Sequence, residues 1–359
     1  MDRKEKIICL SCLSALIAAN MGTKIYYDKK KENIDKEDNE IKSNLDEYLH
    51  KVAGRDKLII GYSKNGKTPL GLYKMLMANK GSVVFDDYNG EMYDMTAEEL
   101  HNKGYHIKRF DLSKENEVHF NPLSYLKDEI DVDNFVNAVF EAKEIPEDYI
   151  YEDEKNLLNA CIDLVLFENE TKEQKNLPYV LDLLKSDDLE NIFNEINDES
   201  ESYKRYENFR KKDTCEKNII VKNLNKLLSI YSIPHIAEML KDDGLDIDSF
   251  TNNKIALYIY DDDTMEMYGS IISLLYNTLF TTVLEKTDNE IPVHIYATSL
   301  CKIPHLNDFL DIKNVMTMSH DKNNISITLH FEDTDTFKKM YGKDTNDIIN
   351  KLDLLTPLN

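Results

Sequence analysis

Residues 57 to 68 constrain this chain more than any others. Lys57–Ile60 (KLII) reads as a short apolar strand and runs straight into Gly61-Tyr62-Ser63-Lys64-Asn65-Gly66-Lys67-Thr68, a complete G-x-x-x-x-G-K-T pattern. Pro69 to Lys80 follows at helical spacing, with Leu72, Met75, Leu76 and Ala78 as its apolar positions, and Pro69 suits a first helical turn. A strand, a glycine-bearing loop and a helix form the context in which this pattern cradles phosphate. Gly61 and Gly66 let the backbone wrap closely, so that N–H groups across Ser63, Lys64 and Asn65 face phosphate oxygens. The helix start adds its positive dipole end. Lys67 supplies a point charge for the β and γ phosphates, and the Thr68 hydroxyl is the expected Mg²⁺ ligand. The cofactors implied are ATP and Mg²⁺. A surface turn with an incidental lysine is the bland alternative.

The surrounding pattern predicts an α/β fold with a parallel sheet. Strands are expected at Ser82 to Phe85 and His106 to Phe110, with a helix around Thr96 to Lys103 between them. From about Asp131 to Asp243 the patterning is almost wholly helical. Within it, the charged stretch Asp198 to Lys217 is expected as one exposed helix. Strand signals return at Lys254 to Tyr260, Val293 to Tyr296 and Ile325 to Leu329, and Tyr268 to Leu284 reads as an apolar helix. The expected organisation is an N-terminal membrane anchor at 1–27, a charged linker at 28–54, and a P-loop NTPase domain in two parts. Those parts, 55–128 and 253–359, flank an all-α insertion at 129–252.

The amino terminus carries no charge from Ile7 to Thr23, a run of 17 residues at the short limit for a membrane span. Tyr26, Tyr27 and Lys29 to Lys31 follow as an interfacial anchor would. A cleaved secretory signal and a buried helix remain alternatives. An ATP site argues against secretion, so the expected location is the cell membrane, single-pass, with the bulk of the chain cytoplasmic.

Composition excludes several classes. With 67 acidic and 44 basic residues, the net charge of -23 rules out a generally basic nucleic-acid-coating protein. One basic-aromatic patch, SYKRYENFRKK, offers Arg205, Arg210, Lys211 and Lys212 for DNA, with an ordinary amphipathic helix as the cheaper reading. Five cysteines in 359 residues are no disulfide scaffold. Cys161, Cys215 and Cys301 read as core thiols, and Cys9 and Cys12 sit in the apolar run. His294, His305, His320 and His330 show no metal-ligand spacing.

Several segments together resemble the conjugative coupling proteins of type IV secretion, the TraG-like P-loop ATPases. SVVFDDYNGEMY (82–93) is similar to that family's strand ending Asp-Pro-Lys-Gly-Glu, matching at Asp87, Gly90 and Glu91. HFNPL (119–123) resembles its Asn-Pro-Leu segment, and Tyr341-Gly342-Lys343-Asp344 resembles a segment near its carboxyl-terminal part. The resemblance covers residues 55 to 355. It implies hexameric rings (homo- or hetero-hexamers) with nucleotide at subunit interfaces, driving single-stranded DNA or a relaxase–DNA complex toward type IV channel proteins.

Four departures weaken hydrolysis. Thr298 and Ser299 stand where the family has Asp-Glu, and Met318-Ser319-His320-Asp321 lacks the matching arginine. Glu332 replaces a phosphate-sensing Gln, and the family's further strand and helix are not expected after the Tyr-Gly segment. Asp261 to Asp263, or Asp86, Asp87 and Glu91, are candidate displaced carboxylates. No catalytic residue is assigned. The two functional readings are a nucleotide-binding coupling component of conjugation and an inactive pseudo-ATPase scaffold at a membrane complex.

Overall fold

The computed structural model describes residues 57–60, 81–112, 118–141, 151–168, 171–261, 268–285, 291–297, 325–331, 335, 338, 342 and 353–355. Among the described residues seven strands form one sheet: β1 (Lys57–Ile60), β2 (Ser82–Tyr88), β3 (His106–Phe110), β4 (Ile255–Asp261), β5 (Val293–Ala297), β6 (Ile325–Phe331) and β7 (Asp353–Leu355). Their order is β3-β4-β2-β5-β6-β1-β7, and every pairing is parallel. Parallel strands need crossovers on the sheet faces, so both faces are buried and the strands read as near-continuous apolar runs. Alternation still sorts the side chains. Val84, Leu257, Ile295 and Ile327 join the main core on one face, while Phe85, Ala256, Tyr258 and Tyr296 lie on the other.

Helix α1 (Glu91–Asn102) covers the second face, burying Met92, Ala97 and Leu100. It begins five residues earlier than its sequence pattern suggests. Asn89 and Gly90 turn the chain at positive φ, and Asp87 caps the new helix. Ahead of β2, Gly81 is obligatory: a Cβ there would lie 2.0 Å from the Pro292 carbonyl oxygen.

Between β3 and β4 the chain is helical: α2 (Glu129–Glu141), α3 (Glu152–Asp163), α4 (Leu177–Lys185), α5 (Leu189–Glu195), α6 (Glu201–Arg210), α7 (Thr214–Leu227) and α8 (Pro234–Met239). These helices share one continuous core with the sheet. Helix α9 (Gly269–Glu285), between β4 and β5, packs against α2 and the short turns Pro122–Tyr125 and Ile247–Thr251. The two ends of the helical segment are tied together. Phe120 N–H donates to Met239 O at 3.0 Å, and Gly244 and Leu245 N–H both donate to His119 O. Lys108 on β3 reaches across to the Gly244 and Leu245 carbonyls at 3.1 and 2.5 Å.

Three expectations need correction. Asp198 to Lys217 is not one exposed helix: it breaks at Lys211–Asp213, where Asp213 and Glu216 form a capping box for α7. Tyr206 and Phe209 are buried, and Tyr206 stacks on Phe193 at 3.9 Å. Cys215 is exposed, unlike the buried Cys161, because the first turn of α7 faces solvent. A further strand, β7, does follow the Tyr-Gly segment and pairs with β1; its three residues are too short to show periodicity. Among the described residues no helix is long and apolar enough to cross a membrane, and Ile7 to Thr23 lies outside them.

Candidate functional site

The site is built on the carboxyl edge of the sheet, where parallel strands end and their connections begin. β1 is an interior strand, hydrogen-bonded to β6 on one side and β7 on the other. Its last residue, Ile60, pairs with Phe331 of β6, and the next residue in the chain is Gly61. The motif residues Gly61, Ser63, Lys64, Asn65, Gly66, Lys67 and Thr68 lie outside the described residues. So do Thr298 and Ser299, which follow β5, Asp262 and Asp263, which follow β4, and Glu332, which follows β6. β6 separates β5 from β1, so β5 ends two strands from the motif.

The far half of the same edge carries a charged rim. Asp86 and Asp87 at the end of β2 are both buried. The Asp87 carboxylate accepts from Met92 N–H at 2.6 Å and Tyr93 N–H at 2.9 Å, satisfying two otherwise orphaned donors of α1. Burial pushes Asp87 up to about 7, Asp86 adds to the rise, and the two N–H bonds and Arg109 oppose it. Burial also raises Glu91 and Asp94, with Arg109 opposing the rise at Asp94. The Arg109 guanidinium lies between the Tyr93 and Tyr260 rings, 5.2 and 4.8 Å from their centroids, and pairs with Asp111 at 3.2 Å. Gly90 takes a φ of +74°, which glycine adopts without strain, and a Cβ there would make only ordinary contact with the Tyr260 ring at 3.5 Å.

Chemically, this rim is a helix cap and a stacked ion pair. β2 lies three strands from β1, which at the usual strand spacing is about 14 Å. Asp87 is therefore placed to hold α1. Sequence reading missed the Arg109 stack. Its only advance sign is an arginine beside a lysine in a five-residue strand, HIKRF.

Within the basic patch, Arg205 is drawn into the protein. Arg205 donates to both Asp133 oxygens at 2.8 and 3.0 Å, and its Nε stands 3.3 Å from Asp163. Arg210 bonds the Tyr203 hydroxyl, Lys211 pairs with Glu207 at 3.1 Å, and Lys212 pairs with Asp153 at 2.6 Å. Residues 129–252 hold 30 acidic and 14 basic side chains, so the segment as a whole is strongly acidic. Arg205 is an internal clamp, whereas Arg210 and Lys211 are exposed. Of the four histidines singled out in the sequence, His305 and His320 lie outside the described residues. His294 bonds Ser326 at 2.6 Å inside the sheet, and the described residues hold no His/Cys/Asp/Glu group suited to a metal ion.

A parallel α/β sheet whose interior strand leads into a phosphate-loop motif, with a helical segment inserted between β3 and β4, defines the class. The chain belongs to the family described as Type IV secretory system Conjugative DNA transfer, which matches residues 19–349. No curated protein sequence matches it. Among solved structures it is similar to the bacterial conjugative coupling protein TrwBdeltaN70 in complex with sulphate. That likeness has 13% identity and a TM-score of 0.60, covering 85% of this chain and 71% of that one. It is also similar to TrwB with the non-hydrolysable ATP analogue ADPNP, at 16% identity and TM-score 0.58, covering 84% and 70%. TrwB with ADP and Mg²⁺ matches at 15% and 0.57, covering 84% and 69%. At these identities the likeness shows the fold.

Proposed function

We propose that this chain is an ATP- and Mg²⁺-binding coupling component of a conjugative type IV secretion system. In this reading it links nucleotide state to recruitment or transfer of DNA at the membrane. One observation carries the proposal: an interior parallel strand, β1, hands directly to G-x-x-x-x-G-K-T at the carboxyl edge of the sheet. TrwB, of like fold, has been seen with ADPNP and with ADP and Mg²⁺. The donor chemistry fits a hard cation, with the Thr68 hydroxyl as protein ligand alongside phosphate oxygens. Lys67 and the backbone of residues 61–66 hold the phosphates. The partners in this reading are single-stranded DNA or a relaxase–DNA complex, channel proteins, and further copies in a hexamer. Residues 1–27 anchor the chain, with the rest cytoplasmic, and 129–252 is an insertion between the halves 55–128 and 253–359.

A second reading, binding without turnover, is favoured by Thr298 and Ser299 standing where a carboxylate pair is expected. The test of the main reading is equilibrium binding of ATP with Mg²⁺. Lys67→Ala is expected to weaken it by at least tenfold, as loss of a charge-assisted contact of about 1.5–3 kcal/mol does. Binding indifferent to that substitution sinks the proposal.

A further inference from the structure

Helix α6 lies along α3, and α2 is joined to both through Arg205 and Asn159. In the seam between them three acceptor atoms lack a donor among the described residues. They are both carboxylate oxygens of Asp163 and the amide oxygen of Asn159, all shut off from solvent and without a hydrogen bond. Asp163 is 1% exposed and Asn159 7%. The two stand four residues apart on α3, so they share one helix face. Native interiors leave few such atoms, and each calls for an explanation. The donors that reach the seam are already committed. The Asn159 amide donates to Asp133 Oδ1 at 2.7 Å. Arg205 gives Nη1 and Nη2 to the two Asp133 oxygens at 2.8 and 3.0 Å, and its Nε stands 3.3 Å from Asp163 Oδ2 without a hydrogen bond.

The charge balance points the same way. The seam receives Arg205 and Glu201 from α6, Asp133 and Glu129 from α2, and Asp163 from α3. One positive group thus faces four carboxylates. Lys204 lies 3.8 Å from Glu201, and both are exposed. The other charged groups around α3 are turned elsewhere. Asp153 pairs with Lys212, Glu154 accepts from Asn223 of α7, and Lys155 donates to Asn137 of α2. Lys217 of α7 pairs with Glu190, while Asp182 and Lys185 of α4 and Glu168 beyond α3 are exposed. A metal ion would face the Arg205 guanidinium, and the described residues hold no group suited to one. A proton is the ligand that fits. It turns Asp163 from acceptor to donor, cancels one of four negative charges, and offers Asn159 Oδ1 the O–H it lacks. Burial raises the Asp163 carboxyl to about 7; Arg205 opposes the rise, and Glu129, Asp133 and Glu201 add to it.

We propose that Asp163 and Asn159 form a proton-binding latch between α3 and α6. With the proton bound, the Asp163 O–H donates to Asn159 Oδ1 and α6 is held down. With it released, four carboxylates crowd one guanidinium and α6 opens. A carboxyl that binds its proton more tightly when folded stabilises at low pH, and that contribution is lost as pH rises through about 7. What the latch controls is the firmness with which α6 displays the exposed Arg210 and Lys211. The inference is independent of the nucleotide-binding reading.

The experiment uses the full chain in detergent and follows hydrogen–deuterium exchange of the α6 amides. Raising the pH from about 6 to about 8 should speed their exchange by about tenfold beyond its intrinsic pH dependence. Asp163→Asn, which matches the protonated acid in charge, should hold exchange flat over that range. Asn159→Ala removes the acceptor and should lower the midpoint by about one pH unit, as loss of one hydrogen bond to the neutral form does. Infrared difference spectra supply a signature that a merely structural role does not move. A protonated-carboxyl C=O band should vanish as the pH rises and be missing from Asp163→Asn at every pH. If the only such band persists in Asp163→Asn, it belongs to another buried acid such as Asp87 and the inference is overturned. An equal pH dependence of α6 exchange in the unmodified chain and Asp163→Asn overturns it too. Should Asp163→Asn not fold, a midpoint unmoved in Asn159→Ala has the same force.

Discussion

The rim of the sheet and the interior of the helical segment each bury a carboxylate, and burial pushes both up to about 7. They are held in opposite ways. Asp87 is satisfied by backbone N–H groups five and six residues along, so its environment forms with helix α1 itself. Asp163 depends on its ion pair with Arg205, 42 residues away, while Glu129, Asp133 and Glu201 crowd it, and neither of its oxygens has a hydrogen bond. Arg205 simultaneously holds Asp133, so one guanidinium joins α2, α3 and α6. A cap is a local device, whereas the clamp is a tertiary one whose loss leaves uncompensated charge inside the protein.

Arg205→Ala breaks this contrast most severely. It strands the buried Asp163 and is expected to cost about 3–5 kcal/mol, the range for removing one partner of a buried pair. The loss should show as a lowered denaturation midpoint for the helical segment. A cost below about 1 kcal/mol would mean the clamp behaves like a surface pair.

The pH dependence sharpens the contrast further. Both carboxylates bind protons more tightly folded than unfolded, from a model value of 3.8 to about 7. Their contribution to stability is complete below about pH 4 and is lost as pH rises through about 7. Asp163→Asn should flatten that decline in probes of the helices, and Asp87→Asn should flatten it in probes of α1 and the sheet. An unchanged slope in both variants would show that neither group titrates in this window. At the small end, Lys211→Ala removes an exposed pair with Glu207 and should shift stability by less than about 0.5 kcal/mol.

The sheet was largely legible in the sequence because runs such as KIALYIY and ISITL carry β-branched and apolar residues between polar breaks. What escaped were features set by distant partners. The start of α1 depends on Asp87 reaching over two positive-φ residues, and β7 exists because β1 offers it an edge. The ion pairs of Arg205 escaped because nothing in SYKRYENFRKK announces Asp133 and Asp163 across the helices. A lone acid inside LNACIDLVLF was the one available hint. At the site, the motif itself was plain from residue order. The strand order that puts β6 beside β1 was not, since it depends on which crossover packs where.

That strand order also governs how the chain comes together as it is made. β1 is the first strand translated among those described, yet its partners include Thr328 and Asp353, about 270 residues or more downstream. At roughly 5–20 residues per second, the strand leading into the phosphate motif waits roughly 15–50 s for a neighbour. β2, β3 and β4 can pair long before that. The β3-β4-β2 half is thus an early scaffold. The β1 end of the sheet is finished last, by insertion of β5, β6 and β7.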